Sequence, residues 1–564
     1  MRFFPDSSSL IDYNYTEYHN ILIYFNLINV TMKSTLLTCL MASLTSVALS
    51  LPATAPKYIF TILVDDLGWG DVGFHRQNPS AEVVTPNIDS LAYSGVILDR
   101  HYVSFTCTPS RSSFLSGREP VHVQTTLDNP EQPNSGIPSN MTAIASKLKE
   151  AGYRTYVTGK WDAGMVTNQH TPEGRGFDSS LIYFEHKVDY YTQNLMQSTC
   201  QQYNPIVDLW DTGAPAKALN GTNYVEYIFR DRVYNILSTH NLSEPLFMLY
   251  TPHVAHCPLQ VPPEQLAKFA FMTDDEQTCQ AQTPYIYPGS TPADYRCRAQ
   301  YAAMVNLLDD IIGNLTSVLK SRGMWDDTFI LFTTDNGGPE DIQESGANNY
   351  PLRGGKYSWF EGGVRGTAFV SGGFLPQSVQ GTNQSGIIHI SDWYRTWIEL
   401  AGIDPTDYVA QVAGLPPIDS LNVWDLVTGV NSTSPRVEIP FSPTAFISGQ
   451  YKLLLGPNDQ ATWPGPQYPN SSSVNSPVYP GPTLACKNGC LFDVLNDPTE
   501  TTDIAAQHPE IVTQMTTRLN TLAKGFYSNN DTNFNYFCPK NITMPCACWA
   551  ALNIYDGYFG PYAS

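Results

Sequence analysis

Tyr58-Ile59-Phe60-Thr61-Ile62-Leu63-Val64-Asp65-Asp66 decides the fold. Its first seven residues are apolar or β-favouring and lack the polar alternation of a half-buried strand. Such a run predicts a central parallel strand covered on both faces. Residues 245–250 (Pro-Leu-Phe-Met-Leu-Tyr) and 328–333 (Thr-Phe-Ile-Leu-Phe-Thr) share this character. Between these runs lie helical patterns. Residues 141–151 place Ile144, Leu148 and Ala151 on one side, and residues 301–319 repeat apolar positions near the helical period. Strands alternating with helices predict an α/β sheet with helices on both faces.

Composition narrows the function. The chain has 564 residues, 42% hydrophobic and 12% aromatic, enough for a sizeable core and against global disorder. Charged residues are 15%, against about 25% in an average soluble protein, which argues against a coiled coil. The net charge of −21 makes nucleic acid and anionic membrane faces poor partners.

The compartment is also readable. Met32-Lys33, the apolar run from Leu36 to Ala42, and the small residues Ala48 and Ser50 form a secretory signal with a cleavage site. Met32 is therefore the expected start, and stable membrane insertion is not expected. Nine Asn-x-Ser/Thr acceptors follow, at Asn140, Asn220, Asn241, Asn314, Asn383, Asn431, Asn470, Asn530 and Asn541. The eleven cysteines suit an oxidising compartment. The expected location is the secretory pathway, ending outside the cell or in a lysosome or vacuole.

Ligands of open α/β sheets bind beyond the carboxyl ends of strands, where Asp65-Asp66 stands. Alone, that pair reads as a turn or helix cap. Asp335-Asn336 also follows a buried strand, and alone reads as a turn into Gly337-Gly338. Together they offer three carboxylates and an amide carbonyl, hard oxygen donors that select Ca²⁺ or Mg²⁺ over zinc. His253-x-x-His256-Cys257 lacks a fourth ligand for a zinc site.

Cys107-Thr108-Pro109-Ser110-Arg111 continues to Leu115-Ser116-Gly117-Arg118. The spacing Cys-x-Pro-Ser-Arg-x-x-x-Leu-x-Gly-Arg resembles the type I sulfatases, most closely the arylsulfatase B–like group. Asp65-Asp66-Leu67-Gly68-Trp69-Gly70, Gly159-Lys160-Trp161, Pro258-Leu259-Gln260, Thr334-Asp335-Asn336-Gly337-Gly338 and Pro351-Leu352-Arg353-Gly354-Gly355-Lys356 extend the likeness in order.

The resemblance implies an alkaline-phosphatase-like α/β domain, with a central mixed sheet flanked by helices, and a small C-terminal α+β domain. The expected division is residues 1–50 as extension and signal, 57–436 as the catalytic domain, and 437–564 as a C-terminal subdomain with a disulfide-rich tail. The resemblance also implies oxidation of Cys107 to formylglycine by the formylglycine-generating enzyme. The hydrated aldehyde attacks sulfur through one hydroxyl and expels sulfate when the other loses its proton. A divalent cation held by Asp65, Asp66, Cys107, Asp335 and Asn336 polarises the sulfate. Arg111 would neutralise charge beside it. Lys160 and Lys356 would hold sulfate oxygens. His256, with an ordinary pKa near 6.5, would protonate or hydrogen-bond the leaving oxygen. The residues from Pro109 onward would open a helix, whose N-terminus favours an anion.

The family reads Gly-Lys-Trp-His where this chain has Gly159-Lys160-Trp161-Asp162. The missing histidine is the expected base for the second hydroxyl. Asp162 is a weaker one unless burial raises its pKa. Cys257 replaces an acidic residue of the group. The first expectation is a hydrolase of sulfate monoesters on aryl groups or sugars. The alternative is a non-catalytic secreted protein that binds sulfated glycans, supported by Asp162. A phosphatase or phosphodiesterase of the same superfamily lacks Ser or Thr at 107 and histidine metal ligands. Specificity is expected in loops 184–215 and 265–300.

Overall fold

The run that opens the sequence argument forms β1 (Tyr58–Val64), and every residue of it is buried. The structure, a computed structural model, describes residues 55–125, 129–196, 198–203, 205–272, 298–340, 346–463, 483–529 and 532–564. The signal region, Asn470, Asn530 and most of the 265–300 loop fall outside these residues.

The strands in chain order are β1, β2 (Val96–Leu98), β3 (His101–Tyr102), β4 (Arg154–Lys160), β5 (Ser179–Tyr183), β6 (Trp210–Asp211), β7 (Ala214–Pro215) and β8 (Leu246–Thr251). They continue with β9 (Thr328–Thr334), β10 (Phe369–Ser371), β11 (Thr382–Gln384), β12 (Ile388–His389), β13 (Glu438–Ser442), β14 (Ala445–Ser448), β15 (Tyr451–Asn458) and β16 (Leu484–Asp493). Ten of them form one mixed sheet, ordered β11-β2-β10-β9-β1-β8-β4-β5-β6-β7. The three buried runs of the sequence lie side by side and parallel at its centre, as β9, β1 and β8.

Successive side chains of a strand point to opposite faces. Ile59 and Leu63 enter one core with Phe114, Ile144, Trp393 and Trp397. Phe60, Ile62 and Val64 enter the other, with Phe229, Tyr301 and Leu308. Each such side chain, fully buried, contributes about 1.5–3 kcal/mol. Helices Cys107–Ser116, Ile144–Glu150 and Asp392–Leu400 cover the first face, and Val225–Thr239 and Arg298–Ser321 the second. Arg298–Ser321 is also long and apolar enough to cross a membrane, but it is mostly buried in this core.

Strands β13 to β16 form a four-stranded antiparallel sheet. One face packs Phe446, Leu453 and Leu491 against Met515 and Leu519 of helix Pro509–Leu522. The other packs Ile439, Ile447 and Phe492 against Tyr102, Phe360 and Val364. Lys452 reaches through with ion pairs to Glu361 at 2.7 Å and Glu500 at 2.9 Å. This sheet thereby braces the 353–364 segment, which carries Lys356. Residues 486–493 belong to β16. The Cys486–Cys490 disulfide sits within the strand, where a register irregularity lies near Gly456. The segment 455–484 begins as the end of β15, and 464–482 lie outside the described residues. The tail is tied by Cys538–Cys546 and by Cys200–Cys548, as its cysteines led one to expect.

Arg436 leads into β13. Its guanidinium meets both oxygens of Asp392, at 2.8 and 2.6 Å, and Glu119 at 2.5 Å. Removing one partner of such a buried pair leaves a charge without compensation. Arg436→Ala is expected to cost about 3–5 kcal/mol, read as a lower denaturant midpoint at unchanged slope. An unchanged midpoint would contradict this role.

Candidate active site

Parallel strands bring their carboxyl ends to one edge. Val64 pairs with Thr334, so Asp65-Asp66 after β1 and Asp335-Asn336 after β9 emerge at one level. Lys160 ends β4, beside β8, whose following loop carries His253 and His256. Gly159 permits this closeness, because a Cβ there would collide with the Thr251 carbonyl. Helix Cys107–Ser116 starts at Cys107 itself, two residues earlier than Pro109 led one to expect. Its free N–H groups and dipole thus face the same edge.

The structure brings every singled-out residue to this edge, all of them buried. The Cys107 sulfur lies 3.5 Å from Asp65 Oδ1. Lys160 Nζ donates to Asp65 Oδ2 at 2.9 Å, and Lys356 Nζ donates to Asp66 Oδ2 at 2.9 Å. Arg111 meets Asp335 Oδ2 through Nε at 2.9 Å and Nη2 at 2.8 Å. Asn336 Nδ2 donates to Asp66 Oδ1 at 2.7 Å. Asp66 holds a left-handed backbone at φ 58°, as Asp162 does at 48°. Such conformations are uncommon outside glycine and cluster at functional sites.

Electrostatics sharpen the roles. Burial pushes the Cys107 thiol well above its ordinary range, although Lys160 and Lys356 oppose it. Unmodified, Cys107 therefore stays a protonated thiol and a poor nucleophile. Burial also raises Asp65 strongly, and Asp335 adds to the effect while Lys160 opposes it. A bound cation would relieve that crowding of carboxylates.

His256 departs from the sequence expectation. Burial, then the charges of Lys356 and Lys160, hold it well below 6.5, so the imidazole is neutral. Its Nδ1 lies 2.7 Å from the Cys257 carbonyl oxygen and its Nε2 3.1 Å from Lys356 Nζ. Nδ1 must carry the hydrogen, and Nε2 accepts from the lysine. Burial opposes it, but Asp66 holds the Lys356 ammonium well above its ordinary pKa, so the lysine is a hydrogen-bond donor at this point and a weak acid. Asp162 departs too. Burial raises it, but His186, Lys160 and Arg111 outweigh burial and hold it at about 2. It is a carboxylate at any working pH and has little capacity as a base.

Sequence reasoning missed Thr108 and His186 as site residues. Thr108 Oγ1 donates to Asp162 Oδ1 at 2.9 Å, and His186 Nδ1 lies 3.2 Å from Asp162 Oδ2. His186 follows β5, and only the pairing of β4 with β5 brings it beside Asp162. The Cys257 sulfur lies 3.5 Å from Lys187 Nζ.

The donor set fits a hard divalent cation. Asp65, Asp66, Asp335 and Asn336 offer only oxygen, and Asn336 Oδ1 is buried without a hydrogen-bond partner. Asp65, Asp66, Cys107 and His256 bring ligand atoms within 4.8 Å of one another. Asp335 adjoins them: its Oδ2 is held by Arg111, and its Oδ1 accepts from the Asp66 N–H at 3.3 Å.

Comparison with known proteins gives the family. A family model described as Sulfatase matches residues 57–403. Arylsulfatase J of Mus musculus is 31% identical over 492 residues, covering 84% of this chain and 76% of that one. Arylsulfatase A of Homo sapiens is 27% identical, with coverage of 83% and 88%. N-acetylgalactosamine-6-sulfatase of Homo sapiens is 27% identical, with coverage of 63% of each chain. Among solved structures, Ps i-CgsB in complex with k-i-k-neocarrahexaose superposes with a TM-score of 0.66 at 25% identity. It covers 89% of this chain and 99% of that one. The chain belongs to the sulfatase family and is a sulfatase. Its ten-stranded mixed sheet, flanking helices and small antiparallel sheet are the alkaline-phosphatase-like fold of its structural neighbours.

Proposed function

We propose that the chain hydrolyses sulfate monoesters of sulfated sugars or aryl groups, with Cys107 converted to formylglycine and a divalent cation bound beside it. The observation that carries the reading is the setting of Cys107. It is the first residue of a helix, 3.5 Å from Asp65, among Lys160, Lys356 and Arg111. A buried protonated thiol has no use for that array of anion-binding groups, whereas an oxygen nucleophile attacking a sulfate does. The formylglycine supplies that nucleophile, and Ca²⁺ or Mg²⁺ supplies Lewis acidity, held by Asp65, Asp66, Asp335 and Asn336.

The chain's own residues do the rest. Lys160 and Lys356 hold sulfate oxygens in a water-excluded site. Lys356, steered by His256 Nε2, hydrogen-bonds the leaving oxygen. Arg111 fixes Asp335 and offsets its charge. Sulfated sugars are favoured as substrates, because the relatives include an N-acetylgalactosamine-6-sulfatase and a structure in complex with neocarrahexaose. The net charge of −21 disfavours gripping a long sulfated polymer, so ends or small esters are the expected substrates. The signal-like start, the sequons and the three disulfides among the described residues support a secretory route, with the formylglycine-generating enzyme as the maturation partner.

The test is the mass of the peptide carrying residue 107, from protein made in a secretory host, measured beside hydrolysis of an aryl sulfate. The reading expects the aldehyde mass and activity in proportion to it. Activity in wholly unconverted protein would contradict it. Chelation is expected to lower Tm and abolish activity, and Ca²⁺ or Mg²⁺ to restore both, because three carboxylates lose their shared counter-charge. A Tm indifferent to chelator would remove the cation from the account.

A further inference from the structure

We propose that His186, oriented by Asp162, is the base that takes the proton from the second hydroxyl of residue 107 as sulfate leaves. This rests on the formylglycine reading above. The O–H bond breaks toward His186 Nε2, and its electron pair forms the carbonyl. The carbon–oxygen bond to sulfate breaks, and sulfate departs with that pair. The imidazolium then returns its proton to water.

The argument begins with strand pairing. Strands β4 and β5 are parallel neighbours, with Lys160 opposite Tyr183. Pairing continues past their ends, where Trp161 N–H donates to Tyr183 O at 2.9 Å and Asp162 N–H to Phe184 O at 3.2 Å. The two loops therefore leave the sheet together, and His186 arrives at Asp162. An ionised carboxylate only accepts, so His186 Nδ1, 3.2 Å from Asp162 Oδ2, carries the hydrogen. In the neutral imidazole, Nε2 then carries the lone pair. It is buried and has no hydrogen-bond partner. Leaving a buried polar atom unmatched costs about 1–3 kcal/mol, a cost that a bound reacting group would offset.

The carboxylate also ties this pair to the nucleophile. Asp162 Oδ1 accepts from Thr108, the residue after Cys107. A carboxylate behind an imidazole sets its tautomer and stabilises the imidazolium, the logic of Asp–His pairs in hydrolases. The other groups at this edge are unsuited. Asp162 is too weak a base. Lys160, Lys356 and Arg111 are cations. His256 Nε2 is engaged by Lys356. His253, stacked on Tyr190 at 4.2 Å, is pushed well below 6.5 by burial and by the charges of Lys160, Lys187 and Arg111, which makes it a weak base.

The test uses full-length protein with residue 107 verified as the aldehyde. In His186→Ala, turnover is expected to fall by about 10²–10⁴, with sulfate remaining on the residue-107 peptide by mass spectrometry. Added imidazole is expected to clear that adduct. Turnover at the parent rate, or loss of turnover without an adduct, would overturn the proposal. A second measurement does not depend on the variant folding. Nitrogen NMR of unconverted, histidine-labelled parent protein is expected to show His186 with hydrogen on Nδ1 and a bare Nε2. The opposite tautomer would also overturn it. If the parent itself, fully converted, releases no sulfate, the sulfatase reading of the site fails, and that result is distinct from a defect seen only in His186→Ala.

Discussion

Cys107→Ala, in a chain otherwise matured normally, is expected to lower sulfate-ester hydrolysis by about four orders of magnitude or more, as loss of a covalent nucleophile does elsewhere. The cause is local. The neighbouring Thr108 hydroxyl is committed to Asp162 at 2.9 Å, and neighbouring groups cannot substitute when members of such a unit act together. The fold should survive, because Cys107 is in no disulfide and alanine suits a helix. Steady-state rates beside a thermal unfolding curve check both halves. Retention of even a tenth of the parent rate would show that residue 107 is not the nucleophile.

Asp335→Ala is expected to damage both activity and stability. Asp335 takes two contacts from Arg111, at 2.9 and 2.8 Å, within a site whose side chains are almost fully buried. Without it, the guanidinium keeps the Lys160 carbonyl at 3.2 Å and Asp65 at 3.7 Å. Leaving a buried charge so poorly matched costs about 3–5 kcal/mol. The proposed cation site loses an oxygen ligand as well, so activity should fall by at least about 10²–10³. Asp335→Asn keeps one acceptor and should fall between alanine and the parent in stability. Denaturant midpoints for the three proteins, with and without added Ca²⁺, check this order. Equal midpoints would mean that Arg111 does not depend on Asp335.

The central strands were legible because β1, β8 and β9 are buried on both faces, which leaves an unbroken apolar run in the sequence. Helix ends were less legible. Helix Ile144–Glu150 begins three residues after the apolar pattern at Met141 starts, and no side chain caps it. The disulfide-bearing β16 resembled a loop because Gly489, at φ 87°, and the nearby cysteines are turn-like in sequence. Cys107, Arg111 and the two acidic pairs could be read from motifs that each lie within a few residues. Proton positions could not. Asp162 falls to about 2 and His256 falls well below 6.5 because of charges from other elements, and those neighbours depend on strand order. His186 escaped notice for the same reason, since 24 residues separate it from Asp162.

That histidine bears on the reading that remained open at the sequence level. Asp162 alone favoured a binding protein without turnover. A carboxylate paired with a buried imidazole restores the missing base from the adjacent strand, so the substitution at 162 no longer implies an inert site.

The most direct measurement is a time course of sulfate release from an aryl sulfate, with Ca²⁺ present and the fraction of aldehyde at residue 107 known. The account predicts linear release through many equivalents per converted chain. Release that stops at or below one equivalent, with conversion complete, would contradict it.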